Sequence, residues 1–380
     1  MRKSLVQPLS LGYFGTLKPE IIMSALRFGM LSTAGIGKKN WKAIHSSRNC
    51  VVSAVASRNI ESSRGYIEEC QKEATFVKTP MAMGSYEELV NSPLVDAVYI
   101  PLPTSLRHEW VERAAAAGKH VLCEKPCAVS MGQLEEMVQA CRKHKVQFMD
   151  GVMFMHGPRL AKMRLTLDDG ESVGSIRRIT SSFSFCGDKN FFQHNIRADG
   201  RLEPTGCLGD LGWYSIRFTL WALNWKMPQA VFGRMLAQSE PSNGRIPAPM
   251  EFTADLTFSG GVSAAFYSSF LAGHQQWAII SGQKGFLSLT DFVRPLDSYA
   301  PAYTVNHKVV RLKVPGKCPS GVDPGVQGHR QAQDTYMFQN FARQVASGRL
   351  EENWPDWSLK TQRVMDACFE SAKLGRTVKL

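Results

Sequence analysis

Hydrophobic and polar positions along this chain follow two rhythms, and the change comes near residue 150. In the first stretch, short continuous apolar runs alternate with longer segments of helical spacing. Leu26–Leu31, Cys50–Ala56, Val95–Ile100, His120–Cys123 and Val146–Asp150 predict buried strands. The spacing predicts helices over 38–46, 60–72, 105–118 and 131–144. Continuously apolar strands between helices mean a parallel sheet covered on both faces. After Gly157-Pro158 and a helix to about 167, apolar and polar residues alternate one by one. Arg178–Phe185, Phe252–Thr257, Val262–Phe270, Trp277–Ser281, Gly285–Leu289 and Val309–Val314 predict mostly antiparallel strands with Gly, Ser and Pro turns between them. One helix, about 210–223, interrupts them, and helical spacing returns at 329–347 and 358–374.

The predicted class is α/β. A doubly wound Rossmann domain spans 25–150, and an α+β domain with a large open-faced, mostly antiparallel sheet spans 151–380. Residues 1–24 read as a disordered N-terminal extension. The alternation around Phe252–Phe270 would leave a large apolar patch on a lone sheet, which predicts a homodimer or larger assembly paired through it.

Composition narrows the function classes. The chain has 380 residues, 44% of them hydrophobic and 21% charged, ordinary for a globular protein. No apolar run approaches the ~18 residues of a membrane span, so no membrane partner is expected. The net charge of +12 favours anionic partners, and a phosphorylated cofactor qualifies as one. The basic residues are spread out, without zinc-finger spacing, an aromatic RNP-like run or a basic arm, which argues against nucleic acid. Nine cysteines, an odd number without Cys-x-x-Cys, read as reduced thiols, with no metal site and a cytoplasmic setting. Organelle targeting by residues 1–22 stays open beside that reading.

Ser32-Thr33-Ala34-Gly35-Ile36-Gly37 lies between the first strand and helix, where small residues let backbone amides approach a pyrophosphate. Ser32 and Ala34 stand where that fingerprint has glycines. The second strand ends in Ser57-Arg58 rather than an acid. A guanidinium there binds a 2′-phosphate and a carboxylate would repel it, so NADP(H) is expected over NAD(H). A surface arginine at a helix start is the plainer alternative. The turn Pro101-Leu102-Pro103-Thr104-Ser105 reads as a stiff wall beside the nicotinamide or simply as a helix cap. Glu124-Lys125-Pro126 leaves a buried strand at the sheet's ligand-binding edge.

Asp210 and Tyr214, four apart, share a helix face. With Lys125 they form a plausible proton-transfer set. A cation beside the phenol, with NADP⁺ nearby, would lower its pKa toward what an alcohol oxidation needs. His156, Arg197 and Trp213 are further substrate-site candidates. Packing roles stand beside the acid, phenol, histidine and indole readings.

These segments together resemble the glucose–fructose oxidoreductase/inositol dehydrogenase/rhizopine-catabolism (Gfo/Idh/MocA) family over roughly residues 25–380. The resemblance rests on the strand–turn–helix at 26–46, Ala56-Ser-Arg58, Ser85-Tyr-Glu-Glu-Leu89 and Val95 to Ser105. It extends through Gly118 to Pro126, Asp150-Gly151, Gly209 to Tyr214 and Ser358 to Ala367. The branch resembles dihydrodiol dehydrogenases, NADP-dependent D-xylose dehydrogenases and plant members with the same 183–188 and 195–197 segments. The resemblance implies Lys125 and Tyr214 as the catalytic pair, Asp210 orienting substrate, and a sheet domain used for assembly. One departure is that Arg107 stands where the branch has histidine, with His108 one later. The expected activity is an NADP(H)-dependent oxidoreductase moving hydride at a carbinol or carbonyl carbon of a sugar, polyol or related cyclic substrate. The rival readings are a non-catalytic NADP(H)-binding regulator of the same fold and a basic nucleic-acid binder.

Overall fold

The computed structural model describes residues 25–241, 244–314, 318, 323, 325 and 328–380. The extension expected over 1–24 lies outside the described residues.

Six strands build the first sheet: β1 (Leu26–Leu31), β2 (Cys50–Ala56), β3 (Met81–Met83), β4 (Ala97–Ile100), β5 (His120–Cys123) and β6 (Phe148–Asp150). All pair in parallel, in the order β3-β2-β1-β4-β5-β6. The crossovers carry α1 (Gly35–Ser47), α2 (Ile60–Glu73), α3 (Tyr86–Val90), α4 (Thr104–Ala116) and α5 (Met131–Lys143). The order reverses between β1 and β4, so the crevice at their carboxyl ends is the switch point where such sheets bind ligands. Helix α1 starts at Gly35, three residues before its predicted start. The edge strand β3, only three residues long, is too short to show in the apolar pattern.

The chain then forms α6 (Pro158–Asp168), β7 (Ile176–Ser184), α7 (Lys189–His194), a π-helical turn over Leu208–Gly212 and α8 (Trp213–Ala222). Strands β8 (Ala230–Gln238), β9 (Pro249–Thr257), β10 (Ser263–Ser269), β11 (Gln275–Gly282), β12 (Phe286–Leu289), β13 (Ala302–Val305) and β14 (Lys308–Arg311) follow. Last come α9 (Gln333–Ala346), α10 (Asn353–Leu374) and β15 (Val378–Lys379). Nine strands make one sheet, in the order β14-β13-β12-β11-β7-β10-β9-β8-β15, antiparallel except where β7 meets β10. Along β9 the buried residues are Phe252, Ala254 and Leu256, while Glu251, Thr253 and Asp255 stay half-exposed. One face therefore packs on helices and the other is open, as the alternation predicts.

Strand β8 is not visible in the apolar pattern because Gly233 breaks its inward face. A Cβ there would strike the Cys368 carbonyl of α10, so the position holds a helix backbone rather than a side chain.

The C-terminal helices return to both sheets. Phe338 of α9 packs edge-on against Phe28 of β1, with centroids 5.3 Å apart, and Phe341 packs against it at a tilt. Asp366 of α10 accepts the Met131 amide at the start of α5, and Ser371 accepts the Gly233 amide. At the seam, Arg217 of α8 forms a buried ion pair with Asp150 at the end of β6 and donates to Thr361 of α10 at 2.7 Å. No helix among the described residues is long and apolar enough to cross a membrane.

Candidate active site

A cleft of about 720 Å³ opens at the carboxyl ends of β1, β4 and β5 and is closed from above by the second sheet. Its floor begins at α1. Ala34 precedes that helix without a side-chain cap, and Ala34, Gly35 and Ile36 line the cleft. A Cβ on Gly35 would meet nothing within 4 Å, whereas one on Gly37 would lie 2.5 Å from the Tyr66 hydroxyl. The first glycine position is thus open toward the cleft, and Gly37 lets α1 pack on α2. Uncapped first-turn amides at an open helix N-terminus fit a pyrophosphate. Ser32 is buried with φ 137°, and its hydroxyl accepts the Ala34 amide. Thr33, next to it, is half-buried and lies outside the cleft lining.

At the end of β2, the Ser57 hydroxyl bonds the Asn59 carbonyl and meets Ser63. Arg58 is exposed and forms no ion pair among the described residues. Both lie beyond the lining of the main cleft. A free guanidinium at this strand end fits a 2′-phosphate.

In the 101–105 turn, Pro101 and Leu102 line the cleft, but Pro103 and Thr104 do not. Thr104 is buried and occupied by Glu203, whose carboxylate takes its amide at 3.0 Å and its hydroxyl at 2.6 Å. The expected contact of Thr104 with cofactor gives way to a contact between the two domains. Glu124 is tied into a buried set: Tyr99 donates to it at 2.7 Å, and Asn40 donates to Tyr99 at 2.6 Å.

The Lys125 ammonium sits at the centre. It donates to the Asp210 carboxylate and carbonyl, both at 2.7 Å, and lies 4.7 Å from the Tyr214 ring centroid. Arg197 holds the other carboxylate oxygen at 2.8 Å. Burial alone would raise the Asp210 pKa, but the Arg197 and Lys125 charges outweigh it and hold the group well below the usual carboxylate range. Asp210 and Tyr214 both face Lys125.

Burial, with Glu124 and Asp210 adding to it, pushes the Tyr214 pKa well above its ordinary value. The Arg197 and Arg294 charges act the other way without offsetting it. Among the described residues the Tyr214 hydroxyl meets only the Met153 sulfur, at 3.7 Å. It therefore stays protonated and is set up as a donor.

Two candidates lie elsewhere. Trp213 is fully buried, with the Arg217 guanidinium 5.8 Å from its ring. One residue turns a helical side chain by about 100°, which takes Trp213 away from the face of Tyr214. His156 also faces away from the cleft, 3.3 Å from Asn340 of α9 and edge-on to Trp354. Burial, with Arg217 adding to it, lowers its pKa to about 3. The plainer structural reading applies to both.

The cleft also gathers groups that sequence reasoning missed: Lys39, Asn40, Glu203, Arg294 and Asp334. Lys39 follows the fingerprint turn and was within reach of a motif argument. Arg294 and Asp334 come from segments far along the chain, and no local spacing points to them.

Two family models match the chain. One, an oxidoreductase family with an NAD-binding Rossmann fold, covers residues 26–152, and a GFO/IDH/MocA C-terminal domain covers 160–288. The chain is 28% identical over 357 residues to D-xylose 1-dehydrogenase (NADP(+)) 2 of Haloferax volcanii, covering 93% of this chain and 100% of that protein. It is 30% identical over 274 residues to trans-1,2-dihydrobenzene-1,2-diol dehydrogenase of Bos taurus, covering 70% and 75%. Among solved structures, an aldose-aldose oxidoreductase from Caulobacter crescentus complexed with glycerol superposes with a TM-score of 0.76 at 23% identity, covering 94% and 100%. A 3-ketoreductase from Actinomadura kijaniata in complex with TDP-benzene and NADP gives 0.74 at 24%, covering 92% and 98%.

Proposed function

The chain belongs to the Gfo/Idh/MocA family of NAD(P)-dependent oxidoreductases acting on CH–OH groups, and from that premise we propose an NADP(H)-dependent sugar or cyclic-diol dehydrogenase/reductase. The observation that carries the reading is the Lys125–Asp210–Arg197 network beside a protonated Tyr214, at the switch point of a doubly wound sheet.

Bound in the cleft, the nicotinamide supplies or accepts the hydride. The chain's own residues do the rest. The first-turn amides of α1 would hold the pyrophosphate, and Arg58 would take the 2′-phosphate. Tyr214 donates its proton to the substrate oxygen in reduction and takes it back in oxidation. The Lys125 ammonium, 4.7 Å from the ring centroid, is placed to stabilise negative charge developing on that oxygen. Asp210 and Arg197 keep Lys125 in place and present polar groups to substrate hydroxyls. The aromatic walls Phe183 and Phe185 suit the apolar face of a sugar ring.

The open face of the nine-stranded sheet, with Trp277 and Ile279 half-exposed on β11, supports a homodimer or larger assembly through that face. The names of the relatives support NADP(H) and sugar-like substrates.

The test is a screen of aldoses and cyclic diols with NADP⁺, and of ketosugars with NADPH, following reduced-nicotinamide absorbance. Turnover of at least one carbohydrate or diol that is lost in Lys125→Met is the expected result. Tight NADPH binding with no turnover across the panel would overturn the catalytic reading.

A further inference from the structure

Arg107 is 6% exposed and lines the cleft, yet no carboxylate forms an ion pair with it among the described residues. Its partners are three backbone carbonyls. Nε donates to Leu102 at 2.7 Å, and Nη1 donates to Glu124 at 3.0 Å and also to Pro126. Two of these carbonyls bracket Lys125, and the third belongs to the turn after β4. One planar guanidinium therefore ties together the loops that follow β4 and β5 and fixes the backbone from which Lys125 projects. Nη2 makes no hydrogen bond among the described residues.

Carbonyl dipoles orient a buried guanidinium, but they leave its full charge in place. Around Lys125 the balance is otherwise even. Lys39, Lys125, Arg197 and Arg294 line the cleft as four cations, and Glu124, Glu203, Asp210 and Asp334 as four carboxylates. Arg107 makes the set net positive.

We infer that Arg107 is a positioning residue for Lys125 whose fixed charge also makes this site favour the reduced cofactor over the oxidised one. The inference rests on the proposed function, which puts the nicotinamide ring at this end of the cleft. An oxidised nicotinamide ring carries a positive charge and a reduced one is neutral. A buried cation nearby repels the first and leaves the second untouched, so it shifts the ratio of their affinities without any contact. A geometric strut and a fixed charge are separable properties, and different substitutions remove them.

The experiment uses the full-length protein with NADPH, followed by its fluorescence, and NADP⁺, followed by competition. The wild type is expected to bind NADPH more tightly. Arg107→Met removes both properties. It should narrow the NADPH-to-NADP⁺ affinity ratio about tenfold, as expected for a partly buried charge at several ångströms, and lower kcat. Arg107→Lys keeps the charge, but an ammonium has no planar fork with which to span three carbonyls. Its affinity ratio should stay near the wild-type value while kcat falls with the KM for sugar little changed. Should Arg107→Met fail to fold, Arg107→Gln carries the same prediction for the ratio. A ratio that stays unchanged in the neutral variants, with both affinities falling together, overturns the inference and leaves Arg107 a structural strut. Wild-type protein that binds neither cofactor would overturn the proposed function itself.

Discussion

At the residue scale, the site is a problem of charge allocation. Lys125 has one positive charge, and Asp210 claims it at 2.7 Å. Burial holds Tyr214 above its ordinary pKa, as a donor rather than a ready base. Tyr214→Phe removes one oxygen and keeps the ring's packing. General acid–base catalysis supplies about 10²–10⁴-fold, so kcat should drop by that much with cofactor affinity nearly unchanged. Lys125→Met should cost at least as much, and the double variant little more, because the two act as a unit. Near-full turnover in Tyr214→Phe would make it a packing residue. Arg58 supports a second prediction. A charge-assisted contact to phosphate is worth about 1.5–3 kcal/mol, so Arg58→Ala should weaken NADP⁺ about ten- to a hundredfold and leave NAD⁺ binding almost untouched. Titrations with both cofactors decide it. His156 supports a third. Unfolded histidine titrates near 6.5, whereas here burial and Arg217 keep the ring neutral down to about 3. Between those values the unfolded state binds more protons, so stability falls as pH drops from about 6.5 toward 3. His156→Gln should flatten that limb, read as urea midpoints at pH 7 and pH 4.5. An unchanged slope would assign acid sensitivity to other groups.

At the scale of elements, two local irregularities place the chemistry. The π-helical turn Leu208–Gly212 feeds directly into α8 and aims the Asp210 carboxylate and the Tyr214 ring at one ammonium. Gly209 within it sits against Thr205 and Pro126, which leaves no room for a Cβ. Strand β8 is the other case. Gly233 lets α10 lie directly on the sheet, so Gly233→Ala must push a backbone carbonyl rather than a pliant side chain. Overpacking of that kind costs about 1–3 kcal/mol. The expected outcome is a lower denaturation midpoint with cofactor affinity retained, and a midpoint equal to wild type would show that α10 yields freely.

At the scale of the molecule, the two sheets form one machine because the chain crosses between them repeatedly. The Arg217–Asp150 pair joins α8 to the last Rossmann strand. Helix α9 returns to cover β1, and Glu203 of the second domain holds Thr104 of the first. Lys125 and Asp210, 85 residues apart, meet only across this seam. The open sheet face makes a prediction at the same scale. Light scattering at micromolar concentration should give a dimer or larger, and Ile279→Lys in the middle of that face should lower the mass. A wild-type monomer would remove the argument for assembly.

The sequence by itself determined the class of both sheets and where along the chain most of their strands lie. Burial on two faces or one leaves a different local rhythm, continuous in β2 and alternating in β9. It also marked Lys125, Asp210 and Tyr214, because strand ends and helix faces are local facts. It did not reveal β8, whose inward position is a glycine, or β3, a three-residue edge. Nor did it place Arg294, Asp334 and Glu203 at the cleft, since they arrive from distant segments. Only the tertiary structure decided that His156 and Trp213 turn away, that Thr104 is taken by Glu203, and that Tyr214 is raised rather than lowered. Each of these depends on which groups surround a side chain in space. Local spacing says which face a residue shares, but a pKa and a binding role are set by desolvation and by charges brought in from elsewhere.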